Sequence, residues 1–227
     1  MLGQMSLTQR LMLGFGAVLS LILLVTLVGI QRVGVIDSLM NEINDEFSPQ
    51  QRAAINFRGS VHDRAIALRD LVLTENDGAL SGIQNDIREL ADFYDQARNK
   101  LEHLHQQRPP DSGELAMIRA IEQAEKTALA ASEKVTQARL RGDLQASRKL
   151  VLSEVGPAYS QWLKVINVYI DAQEKAIRAG VKDVRAIADG FSTTMVLAFL
   201  AAVVLGIGMA IVIIRSVRST LGVEPDS

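Results

Sequence analysis

The chain has 227 residues, with 26 acidic and 24 Lys+Arg side chains, a formal net charge of -2, 48% hydrophobic residues and only 4% aromatics. The near-neutral balance without a basic block excludes nucleic acid as a partner class. The lack of cysteine excludes disulfides, thiolate metal sites and cysteine nucleophiles. Charge is spread unevenly: residues 1–30 hold one charge, Arg10, residues 191–214 hold none, and residues 31–190 hold 21 basic and 24 acidic side chains. A soluble domain does not segregate charge in this way, so the chain reads first as a membrane protein.

After a short tail (1–10), Leu11 to Ile30 is a twenty-residue apolar run in which only Ser20 and Thr26 are polar. At roughly 1.5 Å per helical residue it covers the ~30 Å hydrocarbon core. A cleaved signal peptide would have a shorter apolar core and a small-x-small cleavage site. Here Gln31-Arg32-Val33-Gly34 follows directly, and the run is read as an uncleaved anchor.

The following segment, 31–190, is helical in its periodicity almost throughout. Val33, Ile36, Met40, Ile43 and Phe47 set a stripe that breaks near Ser48-Pro49 and resumes with Ala54, Phe57, Val61, Ala65, Leu68 and Val72. Proline lacks a backbone donor and clashes with the preceding turn, so Pro49 is expected to kink this helix or divide it. Leu80, Ile83, Ile87, Leu90, Tyr94, Ala97, Leu101 and Leu104 form the second stripe, and Ile118, Ile121, Ala128, Ala131, Val135 and Ala138 the third. The fourth runs Tyr159, Trp162, Ile166, Tyr169, Ala176 and Ile187. Between them lie Asn76-Asp77-Gly78, Pro109 to Gly113, and Gly142-Asp143. Asp111 or Ser112 is the expected cap of the third helix. A short helix over 143–153 precedes the fourth, and Pro157 suits the fourth helix's first turn.

No period-2 strand pattern occurs, so the fold class is all-α. Four stripes joined by short connections must hide in an antiparallel four-helix bundle, placed between two transmembrane helices. The second span, 191–214, contains the uncharged run Met195–Ile214 and is closed by Arg215 and Arg218. Ala198, Ala202, Gly206 and Ala210 recur every fourth position, which would bring one small-residue face against a neighbouring backbone. Alternatively, they reflect the ordinary abundance of Ala and Gly in spans. Neither junction between span and bundle contains a strong breaker, so both are expected to be continuous helix.

Two spans place both termini on one side. Arg10, Arg215 and Arg218 flank one face, and Arg32, Lys182 and Arg185 the other, so the count of positive charges is balanced. Loops longer than ~60 residues are largely exempt from that count, which favours translocation of 31–190 and leaves both termini cytoplasmic.

The residues carry a resemblance. Val61-His62-Asp63-Arg64-Ala65-Ile66-Ala67-Leu68-Arg69-Asp70-Leu71-Val72-Leu73 resembles the first-helix signature of four-helix-bundle sensor domains in bacterial methyl-accepting chemotaxis receptors. Trp162 to Ile166 and Tyr169 to Glu174 resemble their last helix. Arg215-Ser216-Val217-Arg218 and Leu221-Gly222-Val223-Glu224-Pro225 resemble the opening of a HAMP linker, here 215–227.

The resemblance implies a periplasmic ligand-binding domain over 31–190, a two-pass protein of the bacterial inner membrane, and a homodimer. Family members continue into a cytoplasmic coiled coil that is methylated and contacts a histidine kinase and its adaptor. The present chain ends at Ser227, as a truncated receptor or a fragment would, so kinase and adaptor are partners only of a longer protein.

In this family, arginines on the first helix hold the carboxylates of amino-acid or organic-acid ligands, often across the dimer interface. The resemblance implies Arg64 and Arg69 as the nearest matches, with Arg58 beside them. Their spacing of six and five does not reproduce the aspartate-type receptor, so the ligand is left open. With Val61 at the centre of the stripe, Arg58 and Arg69 fall roughly 60–80° to one side and Arg64 roughly 60° to the other. A guanidinium's planar fork suits a carboxylate. The competing assignment pairs these arginines with Asp63 or Asp70. Tyr159 and Trp162 are either the wall of the ligand site or core filling, and His62 lies on the same edge as Arg58 and Arg69.

Glu102-x-x-His105 has di-iron ligand spacing but lacks the second pair and the further inward glutamates such a site needs. No nucleophile–base set, phosphate loop or nucleotide motif is present, so no catalytic activity, cofactor or metal is expected. The expected function is a chemoreceptor sensory module that binds a small ligand and signals inward through the second span. The alternatives are the same module serving a histidine kinase or cyclase, and a membrane-anchored structural coiled coil that binds no small molecule.

Overall fold

A computed structural model describes residues 7–221, and all regular structure among them is helical. The α-helices are α1 (Leu7–Glu42), α2 (Ser48–Leu73), α3 (Leu80–Gln107), α4 (Ser112–Leu140), α5 (Leu144–Leu150) and α6 (Gly156–Leu221). Residues 1–6 of the expected tail and Gly222-Val223-Glu224-Pro225 of the expected linker lie outside the described residues.

Two π-helical turns join helices that would otherwise be interrupted: Ile43–Phe47 between α1 and α2, and Val151–Val155 between α5 and α6. Each is followed by a proline two residues on, Pro49 and Pro157. A proline ring collides with the carbonyl four residues back and offers it no N–H. Those carbonyls belong to Asp45 and Ser153, the middle residues of the two π turns. Widening the turn by one residue relieves both problems, and the Ser48 and Gly156 amides donate five residues back, to Ile43 and Val151. Pro49 therefore does divide the first long helix, as expected, but the chain stays helical through the division.

The chain forms two compact units, residues 41–179 and residues 1–40 with 180–227. Residues 31–40 and 180–190, the ends of the 31–190 segment, group with the apolar helices. In the first unit, α2, α3, α4 and α6 place their stripes in one hydrophobic core. Phe57, Val61, Leu68 and Val72 meet Tyr94, Ala97 and Leu101, with Ile121, Ala128, Ala131 and Val135, and Tyr159, Trp162, Ile166 and Tyr169. Burying an aromatic or branched side chain of this size contributes about 1.5–3 kcal/mol each.

The helix ends are built from short polar residues. Asp111 Oδ1 accepts from the Glu114 amide (2.8 Å) and Asp143 Oδ1 from the Ala146 amide (2.9 Å), which caps α4 and α5. Gly142, at φ 80°, ends α4 in a Schellman turn in which the Asp143 amide donates to Ala138 and the Gly142 amide to Arg139.

In the other unit, the apolar parts of α1 and α6 are each long and apolar enough to cross a membrane. Their large side chains stand outward, with Leu24 60% and Phe199 67% exposed. Both helices run past these spans without a break. Within this unit the small-residue repeat is covered only in part. Ala198 and Ala202 are half-buried, but Gly206 and Ala210 are exposed. A four-residue repeat drifts by about 40° per step around an α-helix, so it cannot follow one facing helix for long. The facing stripe is instead Phe191, Met195, Ala198, Ala202, Met209 and Ile213. The close approach falls at Gly14 of α1, where a Cβ would lie 1.0 Å from Met209 Cε.

Candidate functional site

On α2 the buried positions run Phe57, Val61, Arg64, Leu68 and Leu71, a 4-3-4-3 spacing that places Arg64 inside the seam. Arg64 is 5% exposed, and its guanidinium carbon lies 5.4 Å from the centroid of the Trp162 ring. Guanidinium is weakly hydrated and has an attractive electrostatic contact with an aromatic face, so this stacking offsets part of the cost of burial. Trp162 is fully buried and sits between two tyrosines, at 5.2 Å from Tyr94 and 5.6 Å from Tyr159, both edge-on. Phe57 extends the stack, 4.5 Å from Tyr94.

The tyrosine hydroxyls are tied to α4. Ser132 Oγ donates to the Ala128 carbonyl (2.8 Å), so it accepts from the Tyr159 hydroxyl at 2.9 Å. That leaves the Tyr159 oxygen's lone pairs toward the cation. Burial pushes the Tyr159 phenol up, against the opposing pull of the Arg64 charge. Tyr94 donates to Glu125 (3.4 Å), and Arg98 pairs with the same carboxylate while stacking on the Tyr94 ring. Burial, then the Glu125 charge, raises the Tyr94 phenol.

Arg64 differs from its neighbours in what it lacks. Among the described residues no carboxylate ion-pairs with it. Its Nε is buried without an acceptor, and so is Nε1 of the Trp162 ring beneath it. Two buried donors at one stacked pair therefore lack an acceptor, a cost of about 1–3 kcal/mol for each neutral group and more for a charged one. Each is an N–H donor that an oxygen acceptor would complete.

Of the expected site residues, the structure brings together Arg64, Tyr159 and Trp162. It does not bring Arg58 or Arg69 to them, because both lie on the exposed face of α2. Arg69 Nε is 3.9 Å from Asp70, with both side chains exposed, and His62 pairs with Asp63 at 3.1 Å on that face. Tyr159 and Trp162 are also core residues, so lining a site and filling the core are one role here. Residues 94 and 132 complete the surroundings. Tyr94 was legible only as a core position, and Ser132 had no signal beyond lying one residue beyond the α4 stripe.

A second polar cluster lies where α3 ends and α4 begins. Glu114 accepts from the Tyr169 hydroxyl (2.7 Å) and Gln173 Nε2 (3.3 Å), and His105 Nε2 is 3.2 Å away. Burial acts to raise its pKa, but hydrogen bonds from His105 and Tyr169 outweigh it and hold the carboxyl below its ordinary value. Glu114, not Glu102, is the carboxylate that His105 meets. Compared with known proteins, the chain matches no protein-family model and no curated protein sequence.

Proposed function

We propose that this protein is a two-pass membrane sensor that binds a small carboxylate-bearing ligand, an amino acid or organic acid, at Arg64. The observation that carries the reading is the buried guanidinium stacked on Trp162 without a carboxylate partner. In this reading α2, α3, α4 and the first part of α6 form an antiparallel four-helix bundle in the periplasm. The apolar runs of α1 and α6 cross the bacterial inner membrane, and both termini are cytoplasmic. The protein acts as a homodimer, whose second copy meets the exposed α2 edge that carries Arg58 and Arg69. The resemblance of Val61–Leu73 and Trp162–Glu174 to chemoreceptor sensor domains supports the same assignment.

Trp162 and Tyr159 lie on the helix that continues to Leu221. A ligand that draws Arg64 off the indole ring changes the packing of α6, and an unbroken helix carries that change inward. Such coupling requires different ligand affinities in two states, typically worth ~1–3 kcal/mol. In a longer protein the output is a HAMP linker and the kinase and adaptor beyond it.

The test joins the chain to the HAMP and kinase-control regions of a complete chemoreceptor and applies a panel of amino acids and organic acids. Kinase output is expected to respond in the wild-type fusion and to stay flat with Arg64→Met. Output that is constant across the panel contradicts the sensor reading and favours a structural coiled coil. Because the chain has no cysteine, Ser81→Cys gives a single label site. Reaction with a membrane-impermeant maleimide on intact cells is expected, and protection there would reverse the topology.

A further inference from the structure

A groove of about 640 Å³ lies between the start of α2 and the end of α3, away from Arg64. Its polar lining is Arg52, Lys100, His103, Asn44, Asn56 and Asn99, with Ser48 beside them, and no carboxylate is among its lining residues. The volume falls in the range of small-molecule sites, about 300–1,000 Å³. The usual neutralising partners are missing along each helix as well. Positions three and four residues from Arg52 are Ser48, Pro49, Ile55 and Asn56, and those around Lys100 are Gln96, Ala97, His103 and Leu104. Neither cation has a helical ion-pair partner of the kind that stabilises such surfaces, and neither is ion-paired elsewhere among the described residues.

Some other cations of the same unit are paired, whereas Arg52 and Lys100 share one groove. Arg98 is held by Glu125, Arg108 by Glu42 and Glu46, Lys134 by Glu154 and Arg139 by Asp77. The π turn of residues 43–47 contributes Asn44 to the groove, and Pro49, which forces that turn, forms part of its wall. π turns within helices frequently mark functional sites.

We infer that this groove is a second binding site, for a small dianionic oxyacid, either a dicarboxylate or a phosphate. Arg52 and Lys100, from facing helices, hold the two charged ends or the two sides of one phosphate. The three asparagine amides can hydrogen-bond the remaining oxygens. The site is separate from Arg64, which lies twelve residues along α2 from Arg52, about 18 Å.

The test uses the full chain in detergent micelles, labelled with 15N at asparagine, and follows the side-chain amide signals during titration with succinate, inorganic phosphate and uncharged succinamide. Asn44, Asn56 and Asn99 are expected to shift with succinate or phosphate while Asn76, Asn85 and Asn167 stay in place, and whichever anion acts identifies the source of the charge. Arg52→Gln combined with Lys100→Gln is expected to weaken the response at least tenfold, whereas Arg64→Met leaves it intact. Both substituted positions are exposed, so the fold is retained. The inference is overturned if neither anion shifts these signals, if Asn76, Asn85 and Asn167 shift as strongly as Asn44, Asn56 and Asn99, if succinamide acts equally, or if the double variant responds as wild type does.

Discussion

Two arginines are buried in the helical unit, each 5% exposed, and their surroundings are opposites. Arg139, near the end of α4, donates from Nε to the Leu71 carbonyl (3.1 Å) and from Nη2 to the Thr74 carbonyl (3.1 Å) and to Asp77 (2.9 Å). It satisfies carbonyls that α2 leaves without partners at its C-terminus, where a cation is also favoured by the helix dipole. Arg64, in the middle of α2, has an aromatic plate beneath it and no acceptor at Nε. The first arrangement holds the fold together. The second leaves a buried donor without an acceptor, as the proposed ligand site requires.

Substitutions can break this comparison. The largest effect is expected for Arg139→Ala, which strands the α2 carbonyls and should cost about 2–4 kcal/mol, read from chemical denaturation of the full chain. Asp77 is 83% exposed, so Asp77→Asn should cost only a few tenths of a kcal/mol to ~1 kcal/mol, because the carbonyl bonds outweigh an ion pair open to water.

Glu114 sharpens the contrast as the saturated anion of the same unit. Glu114→Ala leaves the Tyr169 hydroxyl and the Gln173 amide without their acceptor and should cost about 1–3 kcal/mol. Its carboxyl titrates below the ordinary value, so its ionised form adds stability above that value, and the contribution disappears as pH falls through the folded-state value. Stability of the wild-type protein should therefore fall as pH drops below the ordinary carboxylate range, and Glu114→Gln should fall less steeply over the same range. The smallest effect is expected at Arg64. Arg64→Met removes a buried charge without orphaning a carboxylate, so ligand-free stability should change by less than ~1 kcal/mol or rise. A loss comparable to that of Arg139→Ala would make Arg64 structural.

Much of this arrangement was readable from spacing. The buried faces of α3, α4 and α6 follow the stripes because a 3-4 apolar repeat can bury only one face of a helix. On α2 the stripe holds at Ala54, Phe57, Val61, Leu68 and Val72, all buried, and departs only at Ala65. Counting Ala65 as the stripe position moved Arg64 to an edge, whereas the seam runs 61-64-68-71, with Leu71 buried and Ala65 at the margin. A charged residue at a heptad position is discounted on hydropathy, although its distance from Val61 and Leu68 points inward.

Arg139 was missed for a different reason, since its partners are loop carbonyls and no side-chain pattern encodes them. The π turns were legible only as the effect of two prolines on a helix, because the extra residue fits the same helical stripes. The small residues of the second span follow a four-residue repeat that departs from the facing stripe.

The most direct test of the central claim is thermal unfolding of the full chain in detergent, in the Arg52→Gln/Lys100→Gln background, with and without Arg64→Met, across amino acids and organic acids. With Arg64 present, a binding acid at 100 times its dissociation constant should add ~2.7 kcal/mol of stability, and Arg64→Met should remove that gain. Equal stabilisation of both proteins, or none from any acid, would contradict a ligand site at Arg64.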